Sequence, residues 1–161
     1  MVKKSTGEPV DSGIVWEDTR TWKIYDRRAG EDGPKKYKDR VGLGLATYFA
    51  GPKVAWILEN VAGARERAEA GDLLMGTMDT WTLWNLTGGV TRRVPAPDVT
   101  NASRPMLMNL DPLDWTPEPC ADPGIPAPLL PGPPPPPRLL GYCRHNRLPV
   151  AAPLPVPPRP P

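Results

Sequence analysis

Prolines are concentrated at one end of this chain, and their placement limits its possible folds more than any other feature. Of the 25 prolines, 7 lie in residues 1–115 and 18 lie in residues 116–161. Proline has no backbone N–H to donate and interrupts helices and sheets, so the later segment is not expected to build a packed core. We therefore predict one domain in residues 1–115 and a disordered proline-rich tail in residues 116–161.

The large aromatic side chains and the charges divide at the same boundary. All six tryptophans and the single phenylalanine precede residue 116, so we expect the core to come from residues 1–115 alone. That part is neutral, with 16 Lys and Arg against 16 Asp and Glu, and the tail carries the net charge of +2. A neutral body argues against a nucleic-acid partner, which requires a basic surface to neutralise phosphates.

The sequence shows no sign of a membrane protein, a secreted protein or a metal site. No apolar run approaches the roughly 18 residues that cross a membrane, and no apolar stretch follows the basic N terminus as in a signal peptide. We therefore expect a cytoplasmic protein without a membrane span. Cys120, Cys143 and His145 are too few and too scattered for zinc, so we expect free thiols and no metal ligand.

Hydrophobic periodicity predicts an α/β fold in residues 1–115. The clearest helix follows Gly51, because Pro52 occupies a first-turn position and residues 54, 57, 58 and 61 form one apolar stripe. The order of strand, helices, strand and helix is typical of the α/β class. The other predicted elements are buried strands at 13–16 and 73–76, helices at 19–30, 34–41, 64–71 and 78–87, a hairpin-like excursion at 90–99, a polar loop at 98–104 and polyproline II at 133–137.

None of the self-sufficient catalytic motifs occurs in the sequence. It lacks the Gly-x-x-x-x-Gly-Lys-Ser/Thr phosphate loop, the Gly-x-Gly-x-x-Gly dinucleotide motif, the His-Glu-x-x-His metal motif and the Gly-x-Ser-x-Gly nucleophile motif. Composition and periodicity therefore do not assign a reaction to the chain.

Four blocks of sequence, in order, resemble the glycerol kinases of the FGGY carbohydrate kinase family. They are residues 14–21 (IVWEDTRT), 47–61 (TYFAGPKVAWILENV), 76–81 (GTMDTW) and 100–104 (TNASR). The resemblance implies an incomplete actin-like, ribonuclease-H-like ATPase domain, namely part of the FGGY N-terminal domain. Family enzymes transfer the γ-phosphoryl group of ATP, with Mg²⁺, to the 3-hydroxyl of glycerol, which requires groups that hold the phosphates and orient the hydroxyl.

The resemblance also implies two substrate-binding residues. Tyr48 matches the family tyrosine whose hydroxyl bonds glycerol, and Trp16 matches the aromatic residue against which the carbon backbone lies. Without that match, Trp16 is more typical of a core residue at a strand end, and Tyr48 of a staple at a helix N terminus. The flanking Asp18 and Arg20 are expected to form a local ion pair near the substrate-binding cleft of the family fold.

Much of the family machinery has no counterpart in this sequence. The phosphate-binding loop, the Arg and Glu that bind glycerol hydroxyls, the aspartate that acts as general base and the nucleotide domain are all unmatched. We therefore assign no catalytic residue and no metal ligand, and whether the chain is an enzyme stays open. We expect it to bind neither ATP nor Mg²⁺ by itself and to be inactive.

Two other functions remain as alternatives at this stage. A proline-rich interaction protein would dock residues 133–138 into the aromatic grooves of SH3-like or WW-like domains. A related FGGY kinase would act on another polyol or sugar. The sequence does not indicate an oligomeric state.

Overall fold

The computed structural model describes residues 1–91, 99–109, 111, 114–115, 124–132, 141–142 and 155–156. Helices account for most of the regular secondary structure in these ranges, and the strands are two residues long. The α-helices are α1 (Trp22–Ala29), α2 (Lys38–Val41), α3 (Ala50–Asn60), α4 (Ala64–Glu69), α5 (Met78–Thr87) and α6 (Val99–Ala102). The strands are β1 (Val2–Lys3), β2 (Leu73–Leu74), β3 (Met108–Asn109), β4 (Asp114–Trp115), β5 (Gly141–Tyr142) and β6 (Pro155–Val156).

The strands form three antiparallel pairs, β1 with β2, β3 with β4 and β5 with β6. In the first pair Val2 lies opposite Leu74 and Lys3 opposite Leu73, so the N terminus is joined to the middle of the chain. This pairing confirms the strand predicted at 73–76, although only its first two residues are in the ladder. The predicted α/β class is therefore present with very short strands.

Helix α3 confirms the clearest prediction from the sequence. Val54, Ile57 and Leu58 are buried on one face, and the helix ends where Val61 becomes extended. Gly51 allows close contact with the segment after α6, because a Cβ at this position would overlap the carbonyl oxygen of Pro105. The helix is therefore fixed at its N-terminal end by backbone packing as well as by its apolar stripe.

The other predicted helices are present with shifted bounds. Helix α1 begins at Trp22 rather than Thr19, and the helix expected at 34–41 is a 3-10 segment (Gly30–Lys35) followed by the short α2. Helices α4 and α5 lie where they were predicted. The buried residues of α5 are Thr80, Leu83, Trp84 and Thr87.

Two predictions of local structure are wrong. Residues 13–16 form no strand, and Val15 and Trp16 are 60% and 65% exposed. A run of β-branched residues favours extended backbone, but here the Val15 carbonyl accepts a hydrogen bond from Lys53 Nζ rather than from a neighbouring strand. The polar loop expected at 98–104 contains α6, and Ala102 within it is fully buried.

The main core shows that residues beyond 115 also contribute apolar side chains. Ile125 and Leu129 are buried with the α3, α4 and β2 residues, and the Leu129 carbonyl accepts a hydrogen bond from Met75 N at 3.0 Å. The expectation of a core from residues 1–115 alone is therefore wrong. Proline fits the 3-10 segment Ala127–Leu129, so the prolines beside these apolar residues do not prevent their burial.

Several sequence predictions concern residues outside the described ranges. These are Cys120, Cys143 and His145, most of the excursion at 90–99, and the polyproline II segment at 133–137. The division into a domain at 1–115 and a tail at 116–161 stays a prediction. Across the described residues, no helix has the length and apolar character needed to cross a membrane.

Candidate functional site

A cavity of about 1090 Å³ opens beside α3 and α5. Its walls come from the N-terminal residues, the segment before α1, the first half of α3, β2 with the residues after it, α5 and α6. Apolar and aromatic side chains dominate the lining, with a smaller number of polar groups. This combination is typical of pockets that bind small organic molecules.

Both residues implied by the resemblance, Trp16 and Tyr48, lie at this cavity. Their rings meet edge to face with centroids 6.4 Å apart and an interplanar angle of 74°, a geometry that aromatic pairs favour. Tyr48 also contacts Phe49 edge to face, at 4.8 Å. At 65% and 47% exposure, neither ring is a core side chain, so both retain accessible surface beside the cavity that they line.

Lys53 connects the two segments that carry these rings, and sequence reasoning missed it. Its Nζ donates hydrogen bonds to the carbonyls of Val15, at 2.8 Å, and of Tyr48, at 2.9 Å. The residue is only 8% exposed, and burial lowers the pKa of its ammonium while nearby Asp18 opposes that shift. The sequence did contain a signal for this role, namely a lysine in the first turns of an otherwise apolar helix. At such a position the side chain is not expected to reach water, so it needs hydrogen-bond partners inside the fold.

The predicted ion pair between Asp18 and Arg20 is present. Arg20 Nη2 lies 2.7 Å from Asp18 Oδ2, and Nε donates to the same oxygen at 2.8 Å. Hydrogen bonds from the Arg20 side chain, and then from its backbone N–H, lower the pKa of Asp18. The guanidinium lies over the Trp56 ring, 4.7 Å from its centroid, so this pair fixes the segment before α1 against α3.

Polar groups at the start of α5 and on α6 also line this cavity. Thr77 donates a hydrogen bond to the Asp79 carboxylate at the start of α5. The Thr80 hydroxyl is buried without a hydrogen-bond partner among the described residues, and a Cβ at Gly76 would clash with the Thr80 side chain. Asn101 also lines the cavity, and no cluster of three or more His, Cys, Asp or Glu able to hold a metal occurs in the described ranges.

Residues 1–147 match the sequence profile of the FGGY family of carbohydrate kinases, N-terminal domain. The chain belongs to the FGGY carbohydrate kinase family. Its relatives include a glycerol kinase of Beutenbergia cavernae, 61% identical over 128 residues, and one of Paenarthrobacter aurescens, 57% identical over 128 residues. Each alignment covers 80% of this chain and 25% of the relative, so the FGGY chain spans about a quarter of their length.

Solved FGGY structures share the same backbone arrangement. The crystal structure of Plasmodium falciparum glycerol kinase with ADP matches with a TM-score of 0.85 and 26% identity, covering 98% of this chain and 30% of that one. A xyloylose kinase from Brucella ovis matches with a TM-score of 0.73 and 18% identity, covering 97% and 30%. These matches confirm the predicted partial actin-like ATPase domain, because the short strands and helices superpose on part of the FGGY fold.

Proposed function

We propose that this chain supplies part of the glycerol-binding wall of a glycerol kinase. The intact enzyme would transfer the γ-phosphoryl group of ATP, with Mg²⁺, to the 3-hydroxyl of glycerol. The observation that carries the proposal is the exposed edge-to-face pair of Trp16 and Tyr48 among the residues that line one cavity. Relatives named glycerol kinase, 57% and 61% identical over the aligned residues, support the choice of substrate.

The chemistry of a triol suits this pair of side chains. Glycerol has an apolar C–H face and three hydroxyls, so a site needs a flat apolar wall and a few fixed polar partners. The indole of Trp16 supplies the wall, and the phenol of Tyr48 donates or accepts a hydrogen bond. Because Trp16 is 65% exposed and Tyr48 47%, both have surface available for such contacts.

We further propose that the 161-residue chain by itself does not transfer phosphate. The family groups that hold the phosphates, bind the remaining glycerol hydroxyls and act as general base have no match in its sequence. ATP and Mg²⁺ are accordingly proposed for the intact enzyme alone, where phosphoryl transfer depends on positioning both reactants and neutralising the phosphate charge.

A chimeric enzyme tests this function. The 128 aligned residues of the Beutenbergia cavernae glycerol kinase would be replaced by those of this chain, and ATP-dependent formation of glycerol 3-phosphate would be measured. We expect a folded, active kinase, because 61% of the aligned residues are identical in the two chains. A folded chimera that leaves glycerol unmodified while the parent enzyme is active would contradict the proposal.

A further inference from the structure

Lys53 is a buried cation whose role the proposed function does not explain. It lies in the first turns of α3, between Pro52 and Val54, and only 8% of its surface is exposed. Burying an ammonium group is costly unless its N–H groups are hydrogen-bonded. A lysine serving only solubility would extend from the helix into water, so this one is held inward by specific contacts.

The acceptors of the Lys53 ammonium are main-chain carbonyls at the two aromatic segments. One belongs to Val15, the residue before Trp16, and the other belongs to Tyr48 itself, with N···O distances of 2.8 and 2.9 Å. A carbonyl marks the position of the backbone rather than of a mobile side chain. The lysine therefore fixes two stretches of main chain relative to each other and to α3.

The segment that carries Trp16 has no regular secondary structure of its own. Residues 13–16 belong to no helix or strand, Val15 and Trp16 are 60% and 65% exposed, and a Cβ at Gly13 would meet only open space. Apolar packing therefore contributes little to the position of the Trp16 backbone. The main-chain ties at Val15 are the turn hydrogen bond that its carbonyl accepts from Asp18 N, at 3.2 Å, and the bond from Lys53 Nζ to that same carbonyl. The other contacts nearby are between side chains: the Trp16 ring meets Tyr48 edge to face, and Arg20, paired with Asp18, lies over the Trp56 ring.

We infer that Lys53 is a positioning residue: it ties the main chain at Val15 to the main chain at Tyr48 and so sets the separation of the Trp16 and Tyr48 rings. The inference rests on the proposed function, since that separation matters only if the two rings hold glycerol. The lysine acts through the two aromatic residues and is not assigned a contact with the reacting atoms.

Fluorine NMR of the 161-residue chain labelled with 5-fluorotryptophan tests the inference. The chain has six tryptophans, and a Trp16→Phe sample assigns the Trp16 resonance. Lys53→Met keeps the length of the side chain and removes the donors, so we expect the Trp16 resonance to shift while that of buried Trp84 stays in place. Lys38→Met, at an exposed position of α2, is the matched control and should leave both unchanged.

An unshifted Trp16 resonance in folded Lys53→Met would overturn the inference. If Lys53→Met unfolds and moves all six resonances, the unmodified chain provides the second measurement. Its Lys53 Nζ protons are expected to exchange with water more slowly than those of Lys38, because two carbonyls hold them. Equal exchange rates for the Nζ protons of Lys53 and Lys38 would overturn the inference. These readouts need no glycerol, so a failed kinase chimera and a failed positioning role are distinguishable.

Discussion

The rings of Trp16 and Tyr48 meet edge to face with their centroids 6.4 Å apart, although α1 and α2 separate them in the sequence. Neither belongs to the hydrophobic core, and both border the same large cavity. Apolar side chains this exposed are not held in place by burial. Their arrangement depends instead on backbone contacts to α3, which makes that helix central to the site.

Gly51→Ala is expected to destabilise the chain by about 1–3 kcal/mol. The new methyl group would overlap the Pro105 carbonyl oxygen and would lie 3.7 Å from the side chain of buried Leu107, so the backbone of one of the two segments must shift. Urea unfolding followed by tryptophan fluorescence measures the change in the free energy of unfolding.

Gly13→Ala is the matched control for this substitution. A Cβ at Gly13 would have no heavy atom within 4 Å, so a change in unfolding free energy within about 0.5 kcal/mol is expected. Equal decreases in the free energy of unfolding of the two variants would contradict the prediction. They would show that the close contact between α3 and the Pro105 backbone does not require a glycine at position 51.

Leu129→Ala tests whether residues beyond 115 belong to the core. Leu129 is fully buried beside Leu73 and Met75, so its truncation should destabilise the fold by about 2–5 kcal/mol. Ala127→Ser, at an exposed position of the same 3-10 segment, should have little effect. Thermal unfolding of both variants makes the comparison, and equal midpoints would contradict this description of the core.

The pKa of Asp18 should be below its ordinary value of 3.8 in the folded chain, since the Arg20 side chain donates hydrogen bonds to its carboxylate. A carboxyl group whose pKa is lowered by folding stabilises the fold above its unfolded pKa, and this contribution is lost as the pH falls through the folded pKa. Carbon NMR titration of the Asp18 carboxyl group measures this pKa. Arg20→Gln should move the pKa upward, and an unchanged pKa would contradict the role of the ion pair.

The elements that sequence patterns predicted well were those set by local signals. Helix α3 has a proline in its first turn and a regular apolar stripe, and Gly42 and Gly71 adopt positive φ just after α2 and α4. Such signals depend on nearby residues alone, so the positions of these elements follow from the sequence. Their bounds differ by a few residues because the ends of helices depend on tertiary contacts.

The errors arose where distant residues decide the structure. Residues 13–16 have the composition of a strand, yet the donor that reaches Val15 is Lys53 on α3, and no pattern in the segment indicates it. Ile125 was assigned to a tail because prolines surround it, whereas its burial depends on space beside α3 and α4. In the candidate site, the resemblance indicates Trp16 and Tyr48, but the contacts of Lys53 depend on how the segment before α1 folds against α3, which no local pattern specifies.

Tyr48→Phe in the chimeric kinase should raise the KM for glycerol about fivefold, the equivalent of one neutral hydrogen bond of about 1 kcal/mol. The ring and its edge-to-face contacts with Trp16 and Phe49 are retained, so stability should be unaffected. Steady-state kinetics with varied glycerol at saturating ATP provide the measurement. An unchanged KM would exclude the hydroxyl as a substrate contact.

The most direct test of the central claim is the KM for glycerol of the chimeric kinase carrying Trp16→Ala. Loss of the apolar wall should raise this KM at least tenfold, about 1.4 kcal/mol of binding free energy, while the KM for ATP stays the same. Trp22→Ala is the control, because Trp22 is 52% exposed but is not among the residues that line the cavity. A KM for glycerol that is equal in the Trp16→Ala, Trp22→Ala and unsubstituted chimeras would contradict the account.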